Sequence, residues 1–61
     1  MNAEGRKAIQ DKIGYLEDNL YRYRLQQRAL PTWTSGNGEP IADIIASHEA
    51  LLAKLRENLA P

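Results

Sequence analysis

The sequence contains no cysteine and a single histidine, His48, among its 61 residues. A chain this short buries little apolar surface, so small domains are usually reinforced by disulfides, a structural metal or oligomerisation. The composition excludes disulfides, and one imidazole gives little support for a metal site. We therefore predict no metal and no cofactor, and we expect association with further chains to stabilise the fold.

The sequence also lacks an excess of charge of one sign and a long apolar run. Eight Lys and Arg residues balance eight Asp and Glu residues, which argues against a chain that holds a polyanion by bulk charge. No stretch approaches the roughly 20 apolar residues of a membrane span, and the first residues lack the apolar core of a signal peptide. We therefore expect a cytoplasmic protein that does not bind membranes.

Apolar residues recur at helical spacing in the first half of the chain. Successive members lie 4, 3, 4, 3, 4 and 3 residues apart, with one polar position near the end: Ile9, Ile13, Leu16, Leu20, Tyr23, Gln27 and Leu30. This heptad pattern predicts an amphipathic helix over about residues 3–30. Asn2 suits its N-cap, and Pro31 ends it.

A wider apolar stripe runs through the second half, where the pattern predicts a helix over about residues 40–60 that begins at Pro40. The stripe spans about 120° of the helix surface at 100° per residue, and its members are Ile41, Ile44, Ile45, His48, Leu51, Leu52, Leu55 and Leu59. A stripe this broad requires two neighbouring helices. The first helix supplies one neighbour, and a second copy of the chain is the simplest source of the other.

The Gly- and Pro-containing segment over about residues 31–39 is expected to be a flexible turn between the helices. Folding them together about this loop gives four pairs: Leu30 with Ile41, Tyr23 with His48, Leu20 with Leu51 and Leu16 with Leu55. Ile9 is left without a partner in its own chain. We predict an all-α, two-helix antiparallel hairpin, one domain over 1–61, that self-associates into a dimeric four-helix bundle; a tetramer is the alternative.

This layout resembles that of the plasmid-encoded Rop repressors, which are dimers of helical hairpins. The resemblance is one of architecture, since the loop here is longer and no Rop sequence motif is present. It implies nucleic-acid binding as a possible function. The small size also suits a phage or mobile-element gene.

The sequence contains no arrangement that could support catalysis, so we predict that the protein is not an enzyme. Ser47, His48 and Glu49 are the residue types of a hydrolase triad, but consecutive side chains on a helix diverge by about 100° and cannot form the relay. His48 lies on the apolar stripe, and we interpret it as a core histidine hydrogen-bonded to Tyr23, Gln27 or a partner chain. A metal site that two copies of His48 share is the weaker alternative.

The candidate binding residues lie at the end of the first helix and in the loop. Tyr21, Leu25, Arg28 and Trp33 have the aromatic and Arg-rich composition of an interface, and we predict that they bind an unidentified protein. For Trp33 by itself, packing over the end of the hairpin against Leu30 and Ile41 is the first interpretation, and a solvent-facing contact is the alternative. The sequence therefore favours a non-catalytic interaction or regulatory protein that forms a homodimer.

A second function is compatible with the same region. Arg22, Arg24 and Arg28 could contact phosphates, and nearby tyrosines could stack on bases, in a Rop-like regulator that binds nucleic acid. The zero net charge of the chain makes this the weaker prediction.

Overall fold

The computed structural model describes residues 2–60, which form two α-helices packed against each other. Helix α1 runs over Ala3–Ala29 and helix α2 over Ile41–Leu59, each bound lying within one residue of the predicted one. The prediction of an all-α chain of two packed helices is confirmed. Met1 and Pro61, the ends of the predicted domain, lie outside the described residues.

The ends of the helices follow from local chemistry. Asn2 is the N-cap of α1, as predicted, because its side-chain oxygen accepts a hydrogen bond of 2.7 Å from the backbone N–H of Gly5. Pro40 is the N-cap of α2 rather than its first helical residue, and its carbonyl accepts from the N–H groups of Asp43 and Ile44. The helix assignment was therefore wrong by one residue at Pro40.

The core lies along the contact between the two helices. Ile41 and Leu52, the most buried side chains, are 1% and 2% exposed. The buried cluster comprises Leu16, Leu20, Ile41, Ile45 and Leu52, and the half-buried side chains packed against it are Ile13, Tyr23, Trp33 and Leu55. These residues come from the two predicted apolar stripes, so the stripes locate the contact surfaces of both helices correctly.

The predicted register is confirmed near the middle of the hairpin, where the ring centroids of Tyr23 and His48 are 5.3 Å apart. Two other predicted partners were wrong. Leu51 is 41% exposed, and its neighbour Leu52 occupies the core beside Leu20, because a turn of 100° carries position 51 to the edge of the stripe. Leu30 is 54% exposed, since it follows the last helical residue of α1, and it is not among the residues packed against the cluster that contains Ile41.

The N-terminal part of α1 extends beyond α2. At 1.5 Å per residue, the 27 residues of α1 span about 40 Å and the 19 residues of α2 about 28 Å. The Arg6 side chain reaches back from this extension and donates to the carbonyl of Leu59 at 3.5 Å. Ile9, which was expected to lack an intrachain partner, is half-buried.

The connection between the helices is a turn, as predicted, and hydrogen bonds close it into a loop. Thr34 and Pro40 form an isolated antiparallel bridge. Ser35 and Glu39 are joined by a backbone hydrogen bond of 2.9 Å, and the Ser35 carbonyl accepts from Gly38 at 2.9 Å. Ser35 Oγ accepts two further backbone bonds, from the N–H groups of Asn37 and Glu39. Glycine in the left-handed region at the last loop position is typical of three-residue hairpin loops.

Two glycines of this loop should respond differently to substitution. Gly38 has a φ of 83°, whereas the φ of Gly36 lies outside the left-handed region, and a Cβ at either position meets nothing within 4 Å. We expect Gly38→Ala to lower the free energy of unfolding by about 1 kcal/mol, the cost of a left-handed non-glycine residue. Gly36→Ala should leave it unchanged or raise it slightly. Urea denaturation of both variants checks this; equal effects would contradict it.

Candidate interaction surface

Two ion pairs join the helices along one flank of the hairpin. Arg56 Nη2 lies 2.9 Å from Glu17 Oε2, and Arg24 Nη2 lies 3.6 Å from Glu49 Oε2. All four side chains are more than half exposed, so the pairs add little to stability. We call this side of the molecule the ion-paired flank. It includes an open groove whose other lining residues are Leu20, Tyr21 and Leu52.

Three of the four predicted partner-binding residues lie together on the outer side of α1. Tyr21 and Leu25 are 63% and 47% exposed, and with Arg28 they line a second open groove, completed by Arg24 and Gln27. The spacing of 4 and 3 residues places Tyr21, Leu25 and Arg28 on one face of the helix. We call these three residues the outer face of α1. It offers apolar, aromatic and cationic groups to a ligand.

Trp33, the fourth predicted residue, does not line this groove. Its side chain is half-buried and packs against the core cluster. Its backbone is also held at both ends, since its N–H donates to the Leu30 carbonyl at 3.0 Å and its carbonyl accepts from Ile41 at 3.0 Å. The first interpretation of Trp33, packing over the end of the hairpin, agrees with this position against the core cluster.

The arginines proposed for nucleic-acid binding do not form a uniform cationic face. Arg22 Nη2 lies 3.1 Å from Asp18 Oδ2 on the same helix, and Arg24 pairs with Glu49 across the hairpin. Among residues 2–60, only Arg28 of the three has no carboxylate within 4.0 Å. Two of the three positive charges are therefore partly balanced by a neighbour.

His48 is held by α2 itself. Its Nδ1 lies 2.8 Å from the Ile44 carbonyl, and because that oxygen can only accept, Nδ1 carries the proton. The ring meets Tyr23 edge to face, at an interplanar angle of 64°. The predicted hydrogen bond with Tyr23 or Gln27 is not formed: Tyr23 contacts His48 through its ring, and Nδ1 donates to the carbonyl of the preceding turn. A hydrogen bond to a partner chain stays a prediction.

Among residues 2–60, no hydrogen bond joins Ser47, His48 and Glu49. Glu49 pairs with Arg24 and not with its neighbour His48. Within residues 2–60 no three His, Cys, Asp or Glu side chains are placed to hold a metal ion. In the same range neither helix is long and apolar enough to cross a membrane.

Sequence reasoning gave two residues of the outer groove other roles and missed one exposed residue. Arg24 and Gln27 complete the outer groove, but Arg24 was predicted to contact nucleic acid and Gln27 to lie in the apolar repeat. Tyr15, which is 63% exposed, was not predicted to have a role; Lys12 Nζ lies 5.7 Å from its ring centroid.

No protein-family model matches the chain, and the searches of curated proteins and of solved structures also found no match.

Proposed function

We propose that the protein is a non-catalytic interaction protein that self-associates into a dimeric four-helix bundle and binds another protein through the outer face of α1. The observation that carries the proposal is the exposure of Tyr21 and Leu25 beside Arg28. Tyrosine and arginine are enriched among the residues that dominate binding energy at protein interfaces. An exposed aromatic and a leucine in one groove, bordered by cations, have the chemistry of such an anchor.

The chemistry of this groove indicates the kind of partner. Arg28 has no carboxylate partner among residues 2–60, so its charge is available to a ligand. A partner segment that combines an apolar side chain with a carboxylate would bury Tyr21 and Leu25 and pair with Arg28. Trp33 belongs to the core and is not part of this proposed contact.

The small interior supports the self-association part of the proposal. Only six side chains of the described residues are buried, and the chain has no disulfide to reinforce them. Domains of this size usually depend on such reinforcement or on other chains.

The proposal is tested by capture experiments with three forms of the tagged protein. We expect Tyr21→Gln combined with Leu25→Gln to lose the proteins that the wild type captures from its host, and to keep the wild-type solution mass. Tyr15→Gln is the matched control, because Tyr15 and Tyr21 are both 63% exposed on the same helix. A double variant that captures the same proteins would refute the proposed contact, and one that loses its solution mass would assign both residues to the self-association surface.

Nucleic-acid binding through Arg22, Arg24 and Arg28 is the alternative function. It requires binding to RNA or DNA that weakens steeply as salt is raised, because phosphate contacts release counterions. The ion pairs of Arg22 and Arg24 favour the protein-binding proposal instead. Gel-shift measurements at low salt distinguish the two functions: a shift that the triple Arg→Gln variant abolishes would support the alternative.

A further inference from the structure

Helix α2 carries two apolar rows that share residues. The first row faces α1 and has spacings of 4, 3, 4, 3 and 4: Ile41, Ile45, His48, Leu52, Leu55 and Leu59. All of these except Leu59 belong to the core cluster, pack against it or contact Tyr23. A second row with the same heptad spacing of 4, 3 and 4 consists of Ile44, His48, Leu51 and Leu55. Because each row has the spacing of a helix–helix contact, α2 is built to pack against two helices, and α1 is only one of them.

The second row lies on the side of α2 opposite the ion-paired flank. At 100° per residue, Glu49 and Arg56 project from one side of the first row and Ile44 and Leu51 from the other. Leu51 is 41% exposed, and Ile44, although buried, lies outside the core cluster. The row itself contains no acidic or basic side chain other than the imidazole of His48, so a neighbouring apolar helix could cover it without burying an unpaired carboxylate, ammonium or guanidinium.

The exposed surface of the chain is large enough to supply such a contact. Its accessible area is 4629 Å² at a mass of 6.9 kDa, whereas a compact monomer of that mass exposes about 4,000 Å². The excess is about 600 Å², close to the roughly 800 Å² that each partner contributes to a stable interface. A single interface with one other chain would therefore bring the exposed area to that of a compact protein.

We infer that a second copy of this chain covers the second row, with the two α2 helices antiparallel about a two-fold axis. In this arrangement Ile44 lies opposite Leu55 of the other copy, and His48 lies opposite its Leu51. This inference rests on the proposed self-association and names the surface that performs it. The outer face of α1 remains free on the other side of each hairpin, available to a different protein.

Charge selects the antiparallel orientation. Asp43 and Lys54 are the charged residues of α2 that border the second row on the side away from α1. Antiparallel pairing about a two-fold axis brings Asp43 of each copy near Lys54 of the other, so that two pairs of opposite charges meet along the edge of the contact away from α1. Parallel pairing would place each copy's Asp43 and Lys54 on opposite edges of the contact, where these charges do not meet.

Solution mass measurements with matched leucine variants test the surface. We expect the wild type to have a mass of 13.8 kDa, twice that of one chain, and Leu51→Lys to raise the dimer dissociation constant at least a hundredfold. Leu25→Lys is the control, since Leu25 is similarly exposed but lies on the outer face of α1; it should remain dimeric. Circular dichroism checks that each variant keeps its helices.

A charge exchange tests the orientation without changing the apolar row, and it stays informative if Leu51→Lys fails to fold. We expect Asp43→Lys alone to weaken the dimer about three- to tenfold, as expected for two exposed ion pairs, and the double variant with Lys54→Asp to restore it. The helix dipole disfavours Lys at position 43 and Asp at position 54. A restored dimer affinity in the double variant would therefore come from the contact between the copies and not from a more stable helix.

The outcomes separate the surface from the proposed self-association. A wild type that stays monomeric at millimolar concentration would overturn both. A dimer that Leu51→Lys leaves intact, or that Leu25→Lys dissociates, would overturn the second row as its contact while leaving self-association in place. A dimer that the second substitution fails to restore would overturn the antiparallel arrangement.

Discussion

Replacing Leu52 by alanine should lower the free energy of unfolding by about 3 kcal/mol, within the 2–5 kcal/mol typical of buried leucines. Leu52 is 2% exposed and belongs to the buried cluster of only five side chains, so few neighbours are available to fill the cavity. A chain of 61 residues has a total stability of roughly 3–9 kcal/mol. The substitution should therefore remove a large part of it and lower the melting temperature by about 15 °C.

Leu25→Ala is the matched control for this substitution. Leu25 is 47% exposed on the outer face of α1, so we expect its replacement to cost less than about 1 kcal/mol. Both variants should be compared with the wild type by urea denaturation at one chain concentration, because self-association would raise the apparent stability. Similar losses for the two variants would mean that the core is not where the structure places it.

The contact between the helices could be predicted because it depends on short-range periodicity. A repeat of 4 and 3 residues places apolar side chains on one face of a helix, and Pro31 and Pro40 bound the break between the two repeats. Together these features predict that Tyr23 lies beside His48. Residues at the edge of a stripe could not be placed in this way. A rotation of α2 by a few tens of degrees decides whether Leu51 or Leu52 lies in the core.

The loop shows why local hydrogen bonds are harder to predict than periodicity. Residues 35–38 contain two glycines and an asparagine, a composition that suits a flexible turn and an ordered one equally well. The order comes from Ser35, whose hydroxyl and backbone together hold three residues of the loop. Whether a serine side chain folds back onto the backbone depends on the path of the whole loop, which residue spacing does not reveal.

The candidate site also combines features that helix spacing predicts with features that depend on the packing of the helices and the loop. Tyr21, Leu25 and Arg28 share a helix face, so helix geometry alone brings them together. The ion pairs of Arg24 and Arg56 depend on the rotation of both helices and were not predicted as specific contacts. Trp33 lies outside either helix, so the residue pattern left two positions open for it, and the loop geometry decides for packing against the core cluster. Function does not follow from the residue pattern alone, because an exposed Tyr and Leu specify a surface and not its ligand.

Replacing Trp33 by alanine should lower the free energy of unfolding by about 2–3 kcal/mol. This is less than the 3–5 kcal/mol typical of buried Trp because Trp33 is only half-buried. The indole packs against the core cluster at the loop end of the hairpin. Without it, we expect that end of the core to be open to water. Trp33→Phe keeps an aromatic ring there and should retain more than half of the lost stability.

Trp33 also allows the wild-type transition to be observed directly, since it is the only tryptophan. Its fluorescence should shift to longer wavelength when the hairpin unfolds, at the same urea concentration at which the helical circular dichroism is lost. The variants are followed by circular dichroism alone. If Trp33→Ala leaves the unfolding transition unchanged but abolishes capture of the partner, Trp33 acts in binding rather than in packing, because a side chain that stabilises the core cannot be removed without a loss of stability.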